Sequence, residues 1–213
     1  MSEEVFRSPK KKGEIAVLIS GRGSNFIAIH DAIVAGKINA EIALVFSNKE
    51  KAPGLKIAQD RNLDSLFLDP KAYSSREEYE KKIIKEVRKR DVDLVCLAGY
   101  MRILSPSFCD EFKHCMMNIH PALLPSFPGL HVQKKALDWG VKYSGATVHF
   151  VTADVDMGPI IVQAVVPVLQ DDTEQTLSDR ILEEEHKIYP DAVRLFFEGK
   201  VEVREKKVYI RDG

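Results

Sequence analysis

Cysteine is scarce in this chain. Cys96, Cys109 and Cys115 are the only three in 213 residues, an odd number with no C-x-x-C spacing. That supports neither a disulfide framework nor a zinc knuckle, and it points to a reducing compartment, so a cytoplasmic protein is expected. Long apolar runs are missing too, since nothing approaches the ~20 residues of a spanning helix. The stretch from Met1 to Gly13 carries Lys10-Lys11-Lys12 but no apolar h-region follows, so no signal peptide is read. Net charge is the third deficit. Lys and Arg number 31 against 32 Asp and Glu, a formal charge of −1 that gives no field for nucleic acid or an anionic membrane. A local patch for a small anion stays open.

What is present fits an ordinary globular domain. Hydrophobic residues make up 45% and charged residues 30%, which excludes a disordered chain, and the length can enclose a sizeable core. No repeat or linker divides it. Residues 13–213 are therefore read as a single domain behind a disordered extension, residues 1–12.

Short β-branched runs alternate with helical patterns. Ile15 to Ile19 is continuously apolar, as a strand buried on both faces should be, and Ile42 to Phe46, Ser65 to Leu68 and Leu94 to Ala98 repeat the theme. Between them, Phe26 to Ala35 reads as a helix capped by Ser24 or Asn25 and closed by Gly36, and Pro53 to Arg61 as a shorter one. A third opens on the capping box Ser75-Arg76-Glu77-Glu78 and buries Tyr79, Ile83 and Val87. This alternation predicts an α/β fold, an open and mostly parallel twisted sheet with flanking helices. Later, Met116 to His120, Tyr143 to Val151 and Ile160 to Leu169 read as strands, the last two forming an antiparallel edge. A helix from about Thr176 to Phe197, interrupted at Pro190, and a short strand pair within 200–213 complete the reading.

Three constellations offer chemistry. Ser20-Gly21-Arg22-Gly23-Ser24-Asn25 joins the first strand to the first helix, where glycines let backbone approach a ligand and the helix N-terminus presents free N–H groups. A monophosphate fits such a turn; a tight turn without ligand is the plainer alternative. The dinucleotide fingerprint fails at Phe26, and no Gly-Lys-Ser/Thr follows. In Asn118-Ile119-His120, strand alternation puts Asn118 and His120 on one face, an amide and an imidazole able to hold an oxyanion and move a proton. Taken alone, a hydrogen-bonded core or edge pair is the plainer reading of them. The turn Thr152-Ala153-Asp154-Val155-Asp156-Met157-Gly158-Pro159 lacks the oxygen ligands of a calcium loop. Facing His120, Asp156 would orient the ring and favour its protonated form. Glu185 lies on the apolar seam of the last helix with Ile181 and Ile188, where an acid snorkels to the rim or reaches a sugar hydroxyl. His30, His114 and His186 read as surface or helix-face residues, His149 as a structural strand residue, and His131 as a residue able to line a pocket.

Together these segments carry a resemblance. Val17 to Asn25, Val45-Phe46-Ser47-Asn48-Lys49, Leu97 to Ser105, Asn118 to Pro125, Pro128-Gly129-Leu130-His131, and Val148 to Val151 with Asp156-Met157-Gly158-Pro159 follow one another in order. The order resembles the folate-dependent phosphoribosylglycinamide formyltransferase family of purine biosynthesis, from about Ile15 to Glu198. The resemblance implies a Rossmann-like formyltransferase fold. It further implies formyl transfer from 10-formyltetrahydrofolate to the amine of 5'-phosphoribosylglycinamide (glycinamide ribonucleotide), without a metal, by a monomer or homodimer. Asn118, His120 and Asp156 resemble the family's catalytic trio; Gly23, Ser24, Asn25 and Glu185 resemble its phosphoribosyl-substrate residues. Arg76, Met101, Arg102, Ile103, Leu104, Asn118, Thr152, Ala153, Asp154 and Val155 resemble its folate-binding residues. Met157 departs from the pattern, which expects glycine there, and Arg22 occupies a variable place. Methionyl-tRNA formyltransferases share the folate half but not the Ser-Gly-x-Gly-Ser-Asn turn, and add a C-terminal domain; formyltetrahydrofolate deformylases add an N-terminal one. A non-catalytic nucleotide-binding module would explain the glycine turn alone.

Overall fold

A computed structural model describes residues 12–211, so most of the expected extension, residues 1–11, lies outside the described residues. Seven strands form one sheet in the order β3-β2-β1-β4-β5-β6-β7. They are β1 (Gly13–Ile19), β2 (Ala40–Ser47), β3 (Ser65–Phe67), β4 (Leu94–Leu97), β5 (Met116–His120), β6 (Tyr143–Phe150) and β7 (Ile160–Pro167). Pairing is parallel from β3 through β5 and antiparallel for β5 with β6 and β6 with β7, as the sequence predicts. The chain steps outward from β1 in both directions, so β1 and β4 flank the topological switch point, where open α/β sheets place ligands beyond the strand carboxyl ends. Strand β1 feeds both cores by alternation. Ile15, Val17 and Ile19 point to one face, covered by α1 (Ser24–Val34), α2 (Pro53–Asp60) and α6 (Glu174–Phe197); Ala16 and Leu18 point to the other, under α3 (Arg76–Arg88) and α4 (Pro106–Glu111). A separate hairpin pairs β8 (Val201–Arg204) with β9 (Lys207–Ile210).

Three local expectations need correction. The cap of α1 is Gly23, not Ser24 or Asn25; its φ of 75° is left-handed and no side chain caps the helix. The box at Ser75 is half formed: its hydroxyl accepts from Glu78 N–H, while the Glu78 carboxylate reaches past it to Ser74 N–H at 2.9 Å. Pro190 does not interrupt α6, which runs unbroken from a Thr173/Thr176 capping box. Proline in a helix interior costs roughly 3 kcal/mol, and burial of Ile188, Tyr189, Ala192 and Val193 around it outweighs that cost. Two further helices, α4 and α5 (Val132–Trp139), occupy stretches to which the sequence reading assigns no element. Among the described residues no helix is long and apolar enough to cross a membrane.

Candidate active site

The turn from Ser20 to Asn25 owes its shape to Gly23 and the facing Gly54. A Cβ on Gly23 would meet Gly54 Cα at 3.3 Å, and one on Gly54 would meet the Gly21 and Arg22 carbonyls at 3.2 and 3.3 Å. The start of α2 therefore packs directly against the turn, and Gly54 N–H donates to the Gly21 carbonyl at 3.1 Å. Arg22 is exposed. Behind the turn, Asn25 Nδ2 donates to Glu185 Oε2 at 2.6 Å, and both residues are buried. Burial pushes the Glu185 carboxyl up, against the Asn25 hydrogen bond that lowers it. Asn25 Oδ1 is buried without a partner among the described residues. A buried acceptor left open is costly, and a ligand hydroxyl would satisfy it.

At the end of β5, Asn118 and His120 share a face, as alternation predicts. The β5–β6 register sets His149 opposite Asn118, so His149 belongs to this cluster; it is not merely a structural strand residue. Asn118 Nδ2 lies 3.3 Å from His149 Nε2, whose other nitrogen lies 2.9 Å from the Phe150 carbonyl. The Phe150 carbonyl accepts, so Nδ1 carries the proton and Nε2 accepts from Asn118. Asp156 enters from the turn before β7: Oδ2 lies 3.4 Å from His120 Nδ1 and Oδ1 lies 3.7 Å from His149 Nε2. Gly129 N–H fixes the carboxylate at 2.8 Å, and the Phe127 carbonyl faces His120 Nε2 at 2.9 Å. The catalytic trio expected from the sequence thus meets in space.

Asp156 favours the charged form of His120, as expected, but burial opposes it. Burial pushes the His120 imidazole below its ordinary value, and the Phe127 carbonyl and the Asp156 charge, which raise it, do not overcome this. Burial raises the Asp156 carboxyl, but His149 and His120 in their protonated forms, together with Gly129 N–H, outweigh burial and hold it below the usual carboxylate range. Met157 has no positive φ and its side chain is 61% exposed, so a glycine is not required there; Asp156 takes the left-handed φ of 56°.

The expected folate residues are mostly exposed. Met101 and Ile103 are exposed while Leu104 is buried in the core, so Leu104 offers backbone only. Arg102 stacks its guanidinium over the Tyr79 ring at 5.3 Å. Thr152, Ala153, Asp154 and Val155 are exposed; Thr152 Oγ1 donates to the Asp154 carbonyl at 3.1 Å, and the Cys109 thiol donates to the Thr152 carbonyl at 3.5 Å. Arg76 stands 3.8 Å from Glu77, and its charge draws down the Cys109 thiol, which burial pushes up to about 11. His131 is exposed at the cap of α5. His186, read as a helix-face residue, buries its Nε2 without a partner among the described residues and lines a groove of about 740 Å³ with Ser24 and Ala28. No group of three or more His, Cys, Asp or Glu among the described residues is placed to hold a metal ion.

Comparison with known proteins places this geometry. The formyl transferase family model matches residues 13–193. The chain is 43% identical to the phosphoribosylglycinamide formyltransferase of Escherichia coli K12, covering 93% of each. It is 47% identical to the trifunctional purine biosynthetic protein adenosine-3 of Drosophila melanogaster, over 89% of this chain but only 14% of that much longer one. Among solved structures, glycinamide ribonucleotide transformylase 1 from Symbiobacterium toebii superposes with a TM-score of 0.93 at 47% identity, covering 99% of both chains.

Proposed function

The chain belongs to the formyl transferase family, and on that premise we propose that it transfers the formyl group of 10-formyltetrahydrofolate to the amine of 5'-phosphoribosylglycinamide, in the cytoplasm. One observation carries the choice of acceptor. A glycine turn suited to phosphate is built onto the buried Asn25–Glu185 pair, whose open acceptor suits a ribose hydroxyl. Burial pushes the Glu185 carboxyl up, and its Oε2 holds the Asn25 amide in place.

The folate cosubstrate supplies the formyl carbon. The amine nitrogen forms a bond to that carbon, the bond from carbon to N10 breaks, and the proton lost by the amine ends on N10. Asn118 Nδ2 and the protonated form of His120 stabilise the oxygen as it gains charge. Asp156 aims the imidazole and favours its charged form against burial, and His149 holds the Asn118 amide with its N–H₂ on the site side. Arg76, the Met101 to Leu104 backbone and the Thr152 to Val155 loop bind the folate. The near-neutral surface agrees with a small acceptor and not with tRNA, whose phosphates need a basic face.

The test offers 10-formyltetrahydrofolate with glycinamide ribonucleotide, methionyl-tRNA and water present together. Formylated glycinamide ribonucleotide should dominate, with slow release of formate. Formyl-methionyl-tRNA or formate as the main product would overturn the acceptor assignment.

A further inference from the structure

Ser20 directly follows β1 at the switch point and has no part in the chemistry described above. It is 5% exposed, yet its polar groups reach the ends of two neighbouring strands. The hydroxyl donates to Asn48 Oδ1, just after β2, at 2.6 Å and accepts from Met101 N–H, beyond β4, at 2.8 Å. Its backbone N–H donates to the Gly99 carbonyl at 3.1 Å. The next residue, Gly21, opens the phosphate turn. One residue thus connects the substrate turn to the segment that carries Met101 and Ile103.

We propose that Ser20 is a positioning residue that couples the two halves of the site, so that occupancy of the phosphate turn tightens folate binding, and the reverse. The proposal rests on the functional reading above. A hydroxyl has one proton and two lone pairs; Ser20 spends the proton on Asn48, which orients a lone pair toward Met101 N–H. Ordering the turn that follows Ser20 therefore orders the folate segment, because both hang on the same buried atom. The segment has a second anchor of a different kind. Glu80, 3% exposed on α3, accepts from Ser105 N–H at 3.0 Å and from the Ser105 hydroxyl. That anchor does not touch the phosphate turn, so it positions without coupling.

The two anchors separate in one experiment on the full chain. Affinity for glycinamide ribonucleotide is measured by calorimetry with and without saturating tetrahydrofolate, beside steady-state kinetics. Wild type should show mutual tightening of roughly fivefold or more, within the range of a coupling between sites. Ser20→Ala orphans Met101 N–H, so KM for 10-formyltetrahydrofolate should rise about tenfold with kcat much less affected, and the coupling factor should fall to about one. Ser20→Thr keeps the hydroxyl and should restore coupling. Glu80→Gln should weaken folate binding while leaving the coupling factor at its wild-type value. If Ser20→Ala does not fold, Asn48→Ala serves in its place and should lower the coupling factor. Independent binding of the two ligands to wild type, or unchanged coupling in Ser20→Ala, overturns the proposal. A wild-type chain that forms no formylated product from these two substrates would instead overturn the functional reading beneath it.

Discussion

Replacing Asp156 with Asn tests the electrostatics of the site most directly. The side chain keeps its shape and an acceptor for Gly129 N–H, so the turn should hold. What goes is a negative charge 3.4 Å from His120 Nδ1, on a side chain only 10% exposed. Full charges at that separation and an effective dielectric near 20 interact by roughly 5 kcal/mol, an upper bound. Gly129 N–H and His149 share the carboxylate, and burial of the ring opposes its charging, so a net loss of ~1.5–3 kcal/mol is reasonable. That amounts to about a ten- to hundredfold fall in the protonated fraction of His120 at neutral pH, and kcat should fall alike. The sign is fixed: Asp156 raises the His120 titration point, so its removal must lower it, and the variant should recover rate as the pH is lowered. The assay pairs the pH profile of kcat with NMR titration of the His120 ring. A ring that titrates at the same pH in both proteins, or a variant that recovers at higher pH, would refute the reasoning.

Asn118→Ala should lower kcat by roughly a hundred- to a thousandfold by removing one oxyanion donor; near-normal turnover in a folded variant would remove Asn118 from the mechanism. Gly23→Val forces a side chain into a left-handed φ of 75° and against Gly54, so affinity for glycinamide ribonucleotide should drop at least tenfold while tetrahydrofolate alone binds within about twofold. Equal losses for both ligands would deny the division of the site. Burial holds His120 and His186 below the ordinary histidine value of 6.5, so the unfolded chain takes up protons first as the medium is acidified. Their contribution to stability is present above that value and lost as pH falls toward the folded-state values, so melting temperature should drop between about pH 7.5 and about pH 5.5, and a flat profile would contradict it.

Much of the fold was legible because period and punctuation agreed. The run from Ile15 to Ile19 is apolar on both faces, and the structure buries all five residues in two opposite cores. Where the sequence misled, a local rule met a tertiary one. Pro190 signals a break, but the helix carries buried residues on both sides of it and continues. Helix α4 is six residues long, too short for a periodic signal, and its one legible mark is the Ser105 hydroxyl capping Phe108 N–H ahead of Pro106. Helix α5 starts from His131 in a left-handed conformation with no side-chain cap, so nothing in the sequence announces it.

The site divides in the same way. That Asn118 and His120 share a face follows from alternation within one strand, and sequence holds that information. That His149 stands opposite Asn118 follows from the register of β5 against β6, which no residue of either strand declares by itself. The charge state of His120 lies one step further out. Its neutral form donates Nε2–H to the Phe127 carbonyl and turns a lone pair toward Asp156; its protonated form satisfies both acceptors but buries a charge. The sequence names Asp156 as the partner and so favours the charged form. The balance is set by burial of a ring whose side chain is 5% exposed under the loop 121–129, and burial belongs to the assembled fold.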